Sequence, residues 1–135
     1  TLMWDDVGIV RDANSLARGA ASLSSLKEEL KNTGIADTGR AFNLSWHDWL
    51  NLESQILASE AICEAARGRE DSRGAHFRSD FPETGDLMST RFTSVKMETN
   101  GELSVTSKPV DFNIVKPGDS LIDDDAGAPP ILAAV

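Results

Sequence analysis

One stretch leaves little choice of conformation. From Ser45 the sequence runs SWHDWLNLESQILASEAICEAARGREDSRGAHFRSDFP, ending at Pro82. At about 100° per residue, Trp46, Trp49, Leu50, Leu52, Ile56, Leu57, Ala61 and Cys63 fall within roughly half of a helical wheel. This is the pattern of a long amphipathic helix with a core-facing side. Ser45 is the expected N-cap, with Asp48 in the acidic first turn, and the helix should fray near Gly68 or stop at Gly74. Two carboxylates break the apolar arc. Glu53 and Glu60 project into it, so each needs a cation: an arginine of a neighbouring helix such as Arg11 or Arg18, or one on another polypeptide. Pro82 biases Phe81 toward extended backbone, so residues 77–82 should leave the helix as irregular chain.

Other elements must cover that helix. Leu2 to Arg11 is a short helical candidate in which Met3, Val7 and Val10 can share a face, with Trp4 beside them as a core residue. Asp12 or Asn14 can cap the next helix. Its apolar stripe is Leu16, Ala20, Leu23, Leu26 and Leu30, and Gly19 on the same side permits close approach. Lys27 and Lys31 suit its C-terminal end, where Gly34 is the natural stop. A loop over 34–44 lets the two long helices run antiparallel, and the short first helix completes a three-helix bundle. Beyond Pro82 the pattern changes. Arg91 to Glu98 reads as a strand, Asn100-Gly101 as a type I′ hairpin turn, and Leu103 and Val105 as the return strand. Val110, Phe112 and Ile114 continue the alternation past Pro109, which marks an edge or a break. The expected organisation is a helical bundle with its arginine-rich corner over 1–82, a β-hairpin extension of the same domain over 83–122, and a flexible tail over 123–135.

Composition excludes several classes. A net charge of −9 disfavours nucleic acid and anionic membrane surfaces as partners. No apolar run is long enough to insert directly into a membrane. Cys63 is the one cysteine, so a disulfide framework is impossible, and a buried thiol suits a cytoplasmic setting. There is no glycine-rich dinucleotide fingerprint, phosphate loop, zinc spacing or nucleophile elbow. His47 reads as an exposed first-turn residue. His76 lies among Arg73, Arg78 and Asp80, where a histidine held by a carboxylate would serve the structure of the corner. Arg67, Arg69, Arg73 and Arg78 put four arginines into twelve residues of an acidic chain. They could bind a small anion, form a solvated patch, or dock onto another domain through carboxylates and carbonyls.

Two motifs narrow the choice. Asp71-Ser-Arg-Gly-Ala-His-Phe-Arg-Ser-Asp-Phe-Pro82 resembles the E-S-R-G-A-H-x-R-x-D-F-P signature near the C-terminus of succinate dehydrogenase, fumarate reductase and L-aspartate oxidase flavoproteins. Met3-Trp-Asp-Asp-Val-Gly-Ile-Val-Arg11 resembles the M-W-x-x-V-G-I-V-R segment that opens the helical C-terminal domain of the same family. Phe42-Asn43-Leu44 and Lys108-Pro109-Val110 match in order, so the resemblance covers residues 1 to 122. It implies a mainly α fold, a spectrin-repeat-like three-helix bundle followed by a small antiparallel hairpin or sheet. It also implies the C-terminal domain of a FAD-dependent oxidoreductase acting on a small dicarboxylate. In such a protein FAD and the catalytic residues lie upstream. This chain would then hold no catalytic, cofactor or metal site and be inactive alone. Ser72, Arg73, Gly74, Ala75, His76, Arg78 and Asp80 would dock on the upstream FAD-binding domain of the same polypeptide. A further partner would be an electron-transfer subunit. Where respiratory relatives commonly continue R-D-D-E-N-W after the motif, this chain has Glu83-Thr-Gly-Asp-Leu-Met88, a departure from the pattern of a membrane-complex subunit with iron–sulfur partners that leaves room for a soluble oxidase-like relative. The rival expectation is a free-standing three-helix module that binds a protein partner.

Overall fold

The computed structural model describes residues 1–119. It is mainly helical with a small antiparallel sheet: α1 (Leu2–Val7), β1 (Val10–Arg11), α2 (Ala13–Thr33), α3 (Leu44–Arg67), β2 (Phe77–Arg78), β3 (Arg91–Met97) and β4 (Leu103–Pro109). The tail expected at 123–135, and the last residues of the 83–122 segment, lie outside the described residues.

Local chemistry sets the ends of both long helices. Asp12 caps α2: its carboxylate accepts the N–H groups of Asn14 and Ser15, and Ser15 Oγ reaches back to the Asp12 N–H, a reciprocal capping box. Gly34, at φ 61°, ends α2 with its N–H on the Leu30 carbonyl. Asn43, rather than Ser45, caps α3; its Oδ1 accepts the Trp46 N–H at 2.8 Å. The Asn43 amide also donates to the Asp37 and Gly39 carbonyls, so the cap is tied into the preceding loop, as Ser45 is not. The helix ends at Arg67, the earlier of the two expected stops. The first helix is shorter than its periodicity suggests. It ends at Val7, and Val10–Arg11 pairs in parallel with Phe77–Arg78 across more than sixty residues of sequence.

Among the described residues the buried apolar set is Val7, Leu16, Leu23, Cys63 and Ala66. Leu16 and Cys63 are fully buried, and the Cys63 thiol donates to the Leu16 carbonyl at 3.4 Å. Fully burying a leucine such as Leu16 contributes about 1.5–3 kcal/mol. Gly19 is where α1 meets α2: a Cβ there would lie 2.8 Å from Val7 Cγ2. Trp4, expected in the core, is 75% exposed. Val7 is the one buried residue of the six in α1.

The carboxylates within the α3 arc find lysine, or nothing, instead of arginine. Glu60 pairs with Lys27 of α2 at 2.7 Å, whereas Arg18 pairs with Asp6 of α1. Glu53 is exposed at the mouth of a crevice that Lys27 and Lys31 also line, with no ion pair among the described residues.

The hairpin register places Val95 opposite Val105 and Met97 opposite Leu103. Val105 packs against the C-terminal end of α3, 3.6 Å from the Cβ position of Gly68. The turn is not type I′. Only Gly101 has positive φ (83°), and Gly101 N–H donates to the Glu98 carbonyl while Glu98 N–H donates to that of Glu102. This is a three-residue loop, a type I turn followed by a left-handed glycine. The return strand ends at Pro109, and no strand includes Val110, Phe112 or Ile114.

Candidate functional site

The arginine-rich corner begins where α3 ends. An α-helix leaves its last carbonyls without intrahelical partners, and they must be satisfied from elsewhere. Here Arg78 does it. Its Nη1 donates to the carbonyls of Ala66 at 3.1 Å and Arg69 at 2.9 Å. Its Nε and Nη2 grip both oxygens of Asp80, each at 2.7 Å. The guanidinium also lies 4.9 Å from the centroid of the Phe81 ring. Asp80 in turn accepts the N–H of Ala13, the first residue of α2. The Arg78 fork holds the Asp80 carboxyl well below the usual carboxylate range, and the Ala13 N–H adds to that. Asp80 raises the pKa of Arg78 in return. Only 3% of Arg78 is exposed.

Ser72 fixes the loop that carries Arg78. Its Oγ accepts the Arg78 N–H at 2.9 Å and donates to the Phe81 carbonyl at 2.7 Å. Arg73 and His76 exchange both backbone hydrogen bonds, so Gly74 and Ala75 form the exposed tip of a two-residue turn. Gly74 has φ 57°, which a side chain would oppose, and no atom of the described residues lies within 4 Å of the position a Cβ would take. The Arg73 side chain turns the other way. It donates to the carbonyls of Thr84 and Asp86 and to the Thr90 hydroxyl, and lies 3.2 Å from Asp71. It therefore stitches the 84–90 segment to the corner.

His76 is buried, and its partner is not a carboxylate. Arg11 Nη1 lies 2.6 Å from Nδ1, while the Arg11 Nε donates to the carbonyls of Val7 and Gly8. A guanidinium can only donate, so Nδ1 accepts and the ring proton sits on Nε2. Nε2 is enclosed, with no partner among the described residues. Burial, with the charges of Arg69 and Arg11, pushes the His76 pKa down and keeps the ring neutral.

The seven residues picked out by sequence therefore converge on one corner but do different things. Ser72, His76 and Arg78 are buried in it, Arg73 is half-buried, and Gly74, Ala75 and Asp80 face solvent. Sequence reasoning missed Arg11, which reaches across to His76 from β1. The register of β1 against β2 was not legible in either segment alone. His47 is an exposed first-turn residue of α3, hydrogen-bonded to Asn51 at 3.0 Å.

Residues 1–121 match the family model described as fumarate reductase flavoprotein C-term. The chain belongs to that family. Among curated members it is 36% identical over 112 residues to the fumarate reductase flavoprotein subunit of Mycobacterium tuberculosis, covering 83% of this chain and 19% of that one. It is 29% identical over 107 residues to the 8-methylmenaquinol:fumarate reductase flavoprotein subunit of Wolinella succinogenes, covering 79% of this chain and 18% of that protein. L-aspartate oxidase 1 of Ralstonia nicotianae is 39% identical over 83 residues, 62% of this chain and 14% of that protein. Quinol fumarate reductase of E. coli shares the fold at TM-score 0.79 and 24% identity, over 87% of this chain and 20% of that one. The chain thus spans a fifth or less of these family members. Among the described residues no helix is long and apolar enough to cross a membrane.

Proposed function

We propose that this chain is the C-terminal domain of a FAD-dependent oxidoreductase that transfers hydride between a small dicarboxylate and flavin, and that its own task is to brace the flavin domain. The observation that carries the reading is the family match over residues 1–121. The short share of each relative that the chain spans supports placing the active site upstream. Parallel pairing among the described residues is limited to β1 and β2, two residues each, with no βαβ unit to receive a dinucleotide. No catalytic step is assigned to this chain's residues, and the fragment alone is inactive in this reading. In the assembled protein, located in the cytoplasm, FAD would be held by the upstream domain. A further partner would be an electron-transfer subunit.

Residues 1–82 and 83–122 are read as one domain, because β3 and β4 both rest on α3. The helical part is read as a spectrin-like bundle, since α1 touches both long helices. Docking is assigned to the corner of Ser72, Arg73, Gly74, Ala75, His76, Arg78 and Asp80. Buried Ser72, His76 and Arg78 hold its shape, and the exposed Gly74–Ala75 tip makes the contact.

The mass and visible absorbance of the full polypeptide test the reading. A chain several times longer, yellow with bound flavin and active on succinate, fumarate or aspartate, is expected. A colourless chain of about this length would instead favour the free-standing interaction module.

A further inference from the structure

The loop joining β3 to β4 holds a reactive pair of neighbours. Of the asparagines in the sequence, Asn100 alone is followed by glycine. A glycine backbone nitrogen has no adjoining side chain to screen it, so it can reach the side-chain carbonyl carbon of the residue before it. Asn14 and Asn32 lie within α2 and Asn51 within α3, Asn43 caps α3, and Asn113 precedes Ile114. Every one of these is followed by a residue with a side chain. Asn100 and Gly101 are both exposed, and no atom of the described residues lies within 4 Å of where a Gly101 Cβ would be.

The folded loop restrains both reacting groups. The Gly101 N–H donates to the Glu98 carbonyl at 2.9 Å, which ties up the nitrogen. The Asn100 amide grips Glu102: Oδ1 accepts its N–H at 3.0 Å, and Nδ2 donates to its carboxylate at 2.8 Å. That carboxylate also opposes the negative charge that builds on an attacking nitrogen. Attack therefore needs the turn to open. A hairpin tip outside the buried apolar set is where such opening costs least.

We propose that Asn100 is a self-modifying site, converted to aspartate and isoaspartate from the opened hairpin turn. The Gly101 nitrogen gives its proton to solvent and attacks Asn100 Cγ. A Cγ–N bond forms, the Cγ–Nδ2 bond breaks, and the side-chain nitrogen leaves as ammonia with a proton from water. A second water opens the resulting cyclic imide. Cleavage at Cγ gives aspartate, and cleavage at the backbone carbonyl gives isoaspartate, whose main chain runs through the former side chain.

Both products undo the loop that restrained the reaction. A carboxylate replaces the amide that donated to Glu102, adding a negative charge to a chain already at −9. Isoaspartate also lengthens the backbone of a loop that is closed by bonds from Glu98 N–H to Glu102 and from Gly101 N–H to Glu98, each 2.9 Å. Met97 and Gly101 line a crevice together with Lys31 of α2 and Trp49 of α3. A loosened tip lifts away from the two long helices there.

Peptide mapping of the protein after incubation in mildly alkaline buffer tests this. Aspartate and isoaspartate are expected in place of Asn100, while the other asparagines stay intact. Conversion should be about tenfold slower in buffer than in denaturing urea, because only the open turn reacts. Glu102→Ala frees the Asn100 amide and should raise the rate in buffer about threefold. Asn100→Gln should give no product, because its longer side chain would have to close a larger ring. In the modified fraction the amides of residues 103–107 should exchange faster than in the unmodified one. Asn100 left intact while another asparagine reacts overturns the proposal, as does conversion equally fast in buffer and in urea. So does a Glu102→Ala rate no higher than that of the wild type, or unchanged exchange in the modified fraction.

Discussion

Arg78 and Asp80 form a two-toothed ion pair, each tooth 2.7 Å long, that ties the end of one long helix to the beginning of the other. The arginine caps the Ala66 carbonyl in the last turn of α3 and the Arg69 carbonyl just beyond it, and the aspartate receives the first N–H of α2. Both helix ends are electrostatically suited to this, since the negative pole of α3 meets a guanidinium and the positive pole of α2 a carboxylate. An arginine cluster in an acidic chain invites a search for an external anion. Here the most buried member of the cluster is occupied by its own fold.

Replacing Arg78 should be severe. Arg78→Leu leaves the Ala66 and Arg69 carbonyls without the Arg78 donor and Asp80 with only the Ala13 N–H; because Asp80 faces solvent, the loss should fall below the roughly 3–5 kcal/mol of a fully buried pair, at about 2–3 kcal/mol. Arg78→Lys should fall between, because an ammonium cannot hold a carboxylate bidentately and reach two carbonyls as well. Urea melts of the 135-residue chain measure both. A loss under about 1 kcal/mol for Arg78→Leu would mean that water caps α3 equally well.

Docking through the tip predicts a separation between fold and assembly. Ala75→Trp adds bulk at an exposed position and should leave melting of the isolated chain unchanged, while lowering flavin retention in the full polypeptide. Arg73→Ala is a harsher probe, because it also frees the 84–90 segment that Arg73 holds. Its effect on flavin retention should exceed its effect on melting of the isolated chain. Equal melting losses in the two settings would count against docking at this corner.

Features written in neighbouring residues were legible before the structure. The Asp12 cap, the Gly34 stop, the Leu16 and Leu23 stripe and the close approach at Gly19 each depend on spacing within a turn or two. Features that depend on distant partners were not. Arg78 is a helix cap because of carbonyls some ten residues upstream, and His76 is held by Arg11, 65 residues away. Trp4 is exposed although it stands three residues from buried Val7 in the same short helix, a difference that spacing within α1 does not show. Glu53 and Glu60 were recognised as anomalous, but spacing could not say that Lys27, not arginine, would answer Glu60.

The corner should give stability two acid limbs. The His76 pKa is depressed in the folded chain, so the unfolded chain takes up a proton near pH 6.5 that the folded chain refuses. Stability from this group is therefore complete above about pH 6.5 and is lost as pH falls below it. His76→Gln, whose carbonyl can still accept from Arg11, should remove that limb. The Asp80 pKa is also depressed, so its contribution is present above about pH 4 and disappears at lower pH. Stability against pH, from urea melts between pH 3 and 8, separates them. A wild-type profile flat between pH 5 and 7 would contradict the buried neutral His76.

Gly19 sets two effects against each other. Alanine favours a helix over glycine by about 1 kcal/mol. Its Cβ would meet Val7 Cγ2 at 2.8 Å and Asp6 Cβ at 3.4 Å, and overpacking of this kind costs about 1–3 kcal/mol. The clash should win, making Gly19→Ala destabilising. Val7→Ala removes the methyl that is struck, so the double variant should be more stable than the two single losses predict when added. Strict additivity in that cycle would show that α1 and α2 do not meet at this point.

The hairpin turn offers a test that distinguishes two geometries. A type I′ turn needs positive φ at both Asn100 and Gly101, whereas in the observed three-residue loop Gly101 alone carries it. Gly101→Ala places an L side chain in the left-handed region and should cost about 1 kcal/mol, with Gly101→Asn milder. Asn100→Ala sits in ordinary backbone and loses two side-chain bonds, the one from the Glu102 N–H to Asn100 Oδ1 and the one from Asn100 Nδ2 to the Glu102 carboxylate. Because β3 and β4 rest on α3 without contributing to the buried apolar set, the damage should be local. Amide exchange of residues 103–107 should quicken in Gly101→Ala, while amides around Leu16 and Cys63 stay protected. An Asn100→Gly variant discriminates further. It should relieve strain and slow exchange if the turn were type I′, and should quicken exchange in the observed loop, where it removes both side-chain bonds to Glu102 and adds backbone freedom.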